Sequence, residues 1–187
     1  MIERSFDEVI NVLGKTRDLH TKTIEQIASS MISCYKQGGK VIIFGNGGSY
    51  SDAMHFAGEL EGAYKNRKRA ALAALVPSNT AALTAIANDF GYDHVFRRFV
   101  EANGQAGDIV IGLTTSGNSP NVIYGLQEAK KRNAYTVAFT GDSGGKVKEY
   151  ADILFNVPSS DTARIQEMHH FAYHEICGIV ENALFPG

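Results

Sequence analysis

Several groups of residues in this chain of 187 residues combine type and spacing in a way that could support chemistry. Gly45-Asn46-Gly47-Gly48-Ser49 removes side chains from a turn, so that backbone could approach a ligand closely. Thr114-Thr115-Ser116-Gly117-Asn118-Ser119-Pro120 crowds hydroxyls and an amide into the mouth of a helix, with Pro120 suited to the first helical turn. Hydroxyls together with the free N–H groups of a helix N-terminus form a neutral cradle for a phosphate dianion. The same residue types also serve ordinary turns and N-caps, so each loop has a purely structural explanation beside the functional one. Neither is a nucleotide fingerprint: G-x-x-x-x-G-K-[ST] is absent, and the first loop is not G-x-G-x-x-G. A phosphate met by hydroxyls and not by lysine points to a small phosphorylated metabolite.

The remaining groups are acid–base pairs. His55 and Glu59, spaced i and i+4, project from one face of a helix, where a solvated surface pair is the ordinary explanation. A terminal helix carries Arg164, Gln166, Glu167, His169, His170 and His174. Gln166 and His174 lie about 80° apart around that helix and roughly 12 Å apart along it, so one metal ion could meet both only near the limit of their reach. His174 shares an apolar stretch with Ile176, Cys177 and Val180, where an isolated histidine is usually a satisfied core residue. Gly141-Asp142-Ser143-Gly144-Gly145 reads as turn and helix cap.

The elements that must position these residues alternate in type. Phe6, Val9, Ile10 and Leu13, then Ile24, Ile27, Ala28, Met31, Ile32 and Tyr35, repeat at helical spacing. Gly14 between the two sets predicts one bent helix or two, ending at Gly38-Gly39. Phe6, Ile10 and Ile27 read as a packing surface toward another subunit, because the polar face is mixed in charge. Strands are predicted at 41–44, 70–76 (Ala-dominated), 108–113, 135–139 and 153–157, and helices at 51–64, 78–87, 93–102, 120–132 and 161–184. Short apolar strands alternating with helices imply a parallel sheet covered on both faces, and right-handed crossovers make it a three-layer αβα sandwich. No linker divides the chain, so residues 1–187 read as one domain whose helical segment 1–38 packs on the core or on a neighbouring subunit.

Composition narrows the class further. Eighteen basic against 20 acidic residues leave a net charge of −2 and no global positive field, which argues against nucleic acid as a partner. The two cysteines, Cys34 and Cys177, make no disulfide framework, and the charged start MIERSFDEVI is no secretory leader. No apolar run approaches the ~18 residues of a membrane span. A cytoplasmic protein with two reduced thiols is expected.

GGKVIIFGNGGSYSDAMHFAGEL, AIANDFGYDHVF, GDIVIGLTTSGNSPNVI and TARIQEMH with His174 together resemble the SIS-domain (sugar-isomerase) proteins, and within them the phosphoheptose isomerases. The resemblance spans residues 39 to 174 and is specific as a set, whereas TSGNS alone marks only the wider class. It implies a flavodoxin-like SIS fold and conversion of sedoheptulose 7-phosphate to D-glycero-D-manno-heptose 7-phosphate. By the same resemblance, Glu59 is the general base and His174 the general acid, and one zinc ion per site is held by His55, Glu59, Gln166 and His174. Asn46, Gly47, Gly48, Ser49, Glu59, Asn88, Asp89, Thr114, Thr115, Ser116, Ser119 and Gln166 match substrate-binding positions, and a homotetramer with active sites at subunit interfaces is implied. The chain departs from the common pattern at Thr114, where many members have Ser, at Ala163, where some have Asp, and at Tyr50, which is bulkier than usual and narrows the pocket.

Other readings share these motifs. A noncatalytic SIS-domain protein that binds a protein partner such as the bacterial replication initiator is one, since the LTAIAND stretch and the ending IVENALFPG resemble such proteins. Those relatives lack an acid and a base at the positions of Glu59 and His174, both present here. A sugar-phosphate sensor, or an isomerase of another ketose phosphate, is a further reading.

Overall fold

A computed structural model describes residues 2–186. The first helix, α1 (Ile2–Lys36), runs unbroken through Gly14 for 35 residues, so the expected interruption does not occur. A glycine in a helix interior costs about 1 kcal/mol relative to alanine. The buried stripe Val12, Thr16, His20, Ile24, Ile27 and Met31 offsets that cost by packing. Ile27 belongs to this stripe and is fully buried, which corrects its assignment to an outward surface; Phe6 and Ile10 are indeed exposed, at 63% and 66%.

The chain then alternates β1 (Val41–Gly45), α2 (Gly48–Glu61), β2 (Ala74–Leu75), α3 (Thr80–Phe90), α4 (Val95–Asn103), β3 (Ile109–Leu113), α5 (Pro120–Lys131), β4 (Tyr135–Thr140), β5 (Ile153–Asn156) and α6 (Thr162–Leu184). Of the expected strand 70–76 only Ala74 and Leu75 pair, against Val41 and Ile42 at the sheet edge. Ala-rich sequence offers little side chain to pack on a pleated surface, and an edge strand has one neighbour.

The strands are parallel in the order β2-β1-β3-β4-β5. Side chains alternate between faces. Val41, Ile43, Ile109, Ile111, Val137 and Phe139 pack under α1, α2 and α6, whereas Ile42, Phe44, Val110 and Ala138 pack against α4 and α5. The result is the three-layer αβα sandwich expected, and β1 and β3 are buried on both faces because their residues are almost all β-branched or aromatic. Chain direction reverses between β1 and β3: one crossover leads outward to β2, the other to β3. In such sheets ligands bind beyond the carboxyl ends of the strands at that switch point. Gly45 and Leu113, the last residues of β1 and β3, are paired in register, so the loops that follow them start side by side.

Candidate active site

The loop after β1 turns at Gly47, whose φ of 55° lies in the left-handed region that favours glycine, and α2 begins at once at Gly48. A Cβ on Gly48 would stand 2.5 Å from Nε2 of Gln166, so α6 approaches this backbone only because no side chain intervenes. Asn46 and Asn121 exchange amide hydrogen bonds, each Nδ2 donating to the other's Oδ1 at 2.9 Å, and the Tyr92 hydroxyl donates to Asn46 Oδ1. This clamp joins the loop after β1 to α5, and its members Asn121 and Tyr92 carry no local sequence signal. Ser49 is buried in the first turn of α2.

After β3, the hydroxyls of Thr114 and Ser119 lie 3.1 Å apart, and those of Thr114 and Ser116 3.5 Å apart. Ser119 is the N-cap of α5, yet its side chain makes no capping hydrogen bond; Val122 N–H is instead satisfied by Asn121 Oδ1. The Ser119 hydroxyl is therefore not spent on helix capping, which weighs against the purely structural explanation of this loop. Thr115 is half-buried, and its carbonyl accepts from Gly141 N–H. The Gly141–Gly145 segment is the expected turn, and it also buttresses this loop. A Cβ on Gly117, with φ +67°, would meet the Gly144 carbonyl oxygen at 2.4 Å, and Val147 N–H donates to the Gly117 carbonyl.

The acid–base residues meet in the groove between α2 and α6. His55 Nε2 lies 3.0 Å from Glu59 Oε1 and 3.5 Å from His174 Nε2, so the three side chains converge on one point. His174 borders the core instead of filling it. The core histidine of α6 is His169, fully buried, with Nε2 on the Thr140 carbonyl at 3.1 Å and Nδ1 buried without a hydrogen-bond partner. Partial burial lowers the His174 pKa, and the neighbouring His170 and His55 rings lower it further against the pull of Glu59. Tyr173 places its hydroxyl 3.0 Å from His55 Nδ1, and Asp52 lies beneath both.

Gln166 and His170, with Gly48, Asp52, Ala163 and Glu167, line an open depression of about 490 Å³ beside this groove. A more enclosed depression of about 270 Å³ lies on the other side of the Gly47 turn; it includes Asn46, Tyr50 and Tyr92 but neither Glu59 nor His174. Shape alone favours the latter, whereas the convergent titratable groups locate the chemistry in the α2–α6 groove. Tyr50 lines the enclosed depression and donates to the Pro77 carbonyl at 2.9 Å. Asn88 and Asp89 are exposed on α3 and hydrogen-bond each other. That helix packs chiefly on the Tyr92–His94 turn and α4, away from the α2–α6 groove.

A flavodoxin-like parallel sheet with a hydroxyl-lined loop at its switch point defines a SIS-domain protein, and residues 5–141 match the family model described as the SIS domain. The phosphoheptose isomerase of Citrifermentans bemidjiense is 46% identical over 162 residues, 87% of this chain and 84% of that protein. Two solved structures agree in fold: the phosphoheptose isomerase of Neisseria gonorrhoeae (40% identity, TM-score 0.91, 97% of each chain) and that of Francisella tularensis (34% identity, TM-score 0.93, 97% of this chain and 96% of that one). The chain belongs to the phosphoheptose isomerase family of SIS-domain enzymes, and its activity is that of a sugar-phosphate isomerase.

Proposed function

We propose that the enzyme interconverts sedoheptulose 7-phosphate and D-glycero-D-manno-heptose 7-phosphate through a cis-enediolate, with Glu59 as general base and His174 as general acid. The observation that carries this reading is the convergence of Glu59 and His174 on His55 Nε2, across two helices joined only through distant sequence. Glu59 takes the proton from C1 of the ketose while the C2 oxygen gains one. The same carboxyl then returns a proton to C2 as the C1 hydroxyl gives up its own. His174, whose neutral form is favoured by partial burial and the neighbouring rings, has in that form one ring N–H to give to the developing oxyanion and a lone pair to accept the returning proton. The phosphate, at the far end of the sugar, docks on Thr114, Thr115, Ser116 and Ser119 at the mouth of α5. Gly47, Gly48 and Gln166 lie between these two ends and suit contact with the intervening hydroxyls.

The donor set of the groove fits a divalent ion. A tetrahedral zinc site with bonds of about 2.0–2.1 Å needs ligand atoms roughly 3.3 Å apart. The 3.0 and 3.5 Å separations around His55 Nε2 are close to that. His55, Glu59 and His174, with Gln166 by family resemblance, would hold it. Bound zinc would supply Lewis-acid polarisation of the substrate carbonyl. A Glu59 held only loosely would remain free to act as the base, and His174 would offer one ring nitrogen to the ion while the other carries the proton.

A homotetramer with sites at its interfaces accounts for two exposed surfaces: Ile2, Phe6, Ile10 and Leu19 on α1, and Phe90 and Tyr92 beside Asn88 and Asp89. Residues 1–187 then act as one domain per subunit. Cys34 and Cys177 are buried and unpaired, and burial raises the pKa of both thiols, in keeping with a cytoplasmic setting. None of the described helices is long and apolar enough to cross a membrane.

Glu59→Gln tests the assignment. It keeps the side chain's shape and hydrogen bonding but removes the base, and turnover of sedoheptulose 7-phosphate should fall by about 10²–10⁴ with little change in KM. Wild-type turnover in the variant overturns the base assignment.

A further inference from the structure

His169 is the buried α6 histidine that the chemistry of the α2–α6 groove does not use. Its Nε2 lies 3.1 Å from the carbonyl oxygen of Thr140, the last residue of β4. A carbonyl only accepts, so Nε2 carries the proton and Nδ1 the lone pair. That lone pair is buried without a hydrogen-bond partner among the described residues. Burial holds the ring's pKa down at about 4, which keeps it neutral at neutral pH. A phenylalanine would fill the same space with no stranded acceptor, so packing alone does not call for a histidine. Nor does the Thr140 carbonyl need it, because Val157 N–H already donates there at 3.0 Å.

The peptide that receives the Nε2–H gives it a role. The Thr140 carbonyl shares its peptide plane with the N–H of Gly141, and across a trans bond the two point in opposite directions. Gly141 N–H donates at 2.9 Å to the carbonyl of Thr115, inside the loop after β3. The Thr115 carbonyl in turn shares its plane with Ser116 N–H, which donates to no protein acceptor among the described residues. Three polar units thus stand head to tail: His169 Nε2–H, the 140–141 peptide and the 115–116 peptide. Hydrogen bonds in such a chain polarise one another, and each rigid plane constrains the tilt of the next. Packing here is tight enough to transmit a small shift. A Cβ on Gly141 would stand 2.7 Å from Ile165 Cδ1 and 2.7 Å from the Thr115 carbonyl oxygen. Ile165 and His169 are one helical turn apart, so α6 grips the end of β4 with two neighbouring side chains.

We propose, resting on the phosphate-binding reading of the 114–119 loop, that His169 is a positioning residue: through the 140–141 peptide it aims and polarises Ser116 N–H toward the phosphate of the sugar substrate. One helix then serves both ends of the substrate, with His174 at the reacting carbons and His169 behind the phosphate.

The test is steady-state kinetics of the full-length protein on sedoheptulose 7-phosphate, with inorganic phosphate as a competing ligand. In His169→Phe, KM and the inhibition constant for phosphate should each rise about 3–10-fold, the worth of one net hydrogen bond, while kcat and Tm stay near wild type. His169→Gln, whose side-chain amide offers an N–H at similar reach, should restore most of that affinity. A purely structural residue gives another pattern, a lower Tm in both variants with KM unmoved. That pattern overturns the proposal and leaves the isomerase reading intact. NMR of isotope-labelled wild type supplies an answer that does not depend on either variant folding. Added inorganic phosphate should move the amide protons of Ser116 and Gly141 and the Nε2 proton of His169 to lower field together. Movement at Ser116 alone overturns the proposal. Wild type that neither turns over the sugar nor responds to phosphate at Ser116 overturns the phosphate-binding reading and the proposal with it.

Discussion

The two helices that carry Glu59 and His174 are fastened to each other by a buried ion pair, and removing its charge should cost more than any surface change. Glu181, two turns beyond His174 on α6, is 4% exposed and its partner Arg69 is 1% exposed. The carboxylate accepts from Arg69 Nε at 2.7 Å and from the backbone N–H groups of Tyr64, Lys65 and Asn66 at 3.1, 2.9 and 2.7 Å. Arg69 in turn donates to the carbonyl of Glu59 at 2.6 Å, so the pair holds the end of α2 that bears the proposed base. In Glu181→Gln the guanidinium stays buried without an anion. Breaking such a pair costs about 3–5 kcal/mol. Native stabilities are only about 5–15 kcal/mol, so about a fifth or more is at stake. For a chain of this length each kcal/mol shifts Tm by about 2–4 °C, giving a fall of roughly 10 °C. Burial opposes ionisation of Glu181, but the Arg69 hydrogen bond and the three N–H groups outweigh it and hold its pKa below the ordinary carboxylate value. A depressed carboxylate pKa contributes stability that is complete above the unfolded value, about 4.3, and is lost as pH falls through the folded one. The gap between wild type and Glu181→Gln should therefore stay constant from neutral pH to about 5 and close below about 4. Urea and thermal melts across pH at fixed protein concentration measure it. A gap under about 0.5 kcal/mol at pH 7, or one that widens in acid, refutes the reasoning, because surface substitutions already produce that much.

Two further substitutions separate binding from scaffolding in the phosphate loop. Ser119→Ala should raise KM for the sugar phosphate by about 10–100-fold, as expected for one hydrogen bond to a charged group. Its melting should barely move, since losing a functioning N-cap would cost about 1 kcal/mol and this hydroxyl caps nothing. Gly117→Ala should do the opposite and lower stability by about 1–3 kcal/mol in a urea melt, because its φ of +67° and the Gly144 carbonyl at 2.4 Å leave a Cβ no place. A Gly117→Ala protein as stable as wild type would show that the 141–147 buttress yields freely.

The contrast between these sites shows which features a sequence makes legible. β1 and β3 were readable because burial on both faces demands an apolar run, a signal contained in five consecutive residues. The 114–119 loop was readable because a cradle at a helix mouth is built from contiguous residues. The histidines of α6 needed more care. Ile165, Met168, Ala172, Tyr173, Ile176, Cys177 and Val180 trace the buried stripe, and the same spacing puts His169 inside it and leaves His170 and His174 on its border. That distinction is present in the periodicity, yet proximity to Ile176 and Cys177 in sequence obscures it. The polar pairs that hold the groove together were not readable at all. Asn46 meets Asn121 across 75 positions, Arg69 meets Glu181 across 112, and His55 meets Tyr173 across 118. Each partner taken alone is an ordinary surface residue by type. Burial turns it into a constraint, because an unpaired polar group inside the fold is expensive and a paired one fixes geometry. The last two pairs bridge α2 and α6, so the proximity of Glu59 to His174 depends on partners far from it in sequence. A substitution at Arg69 or Glu181 should accordingly alter turnover without altering phosphate affinity, whereas one in the 114–119 loop should do the reverse.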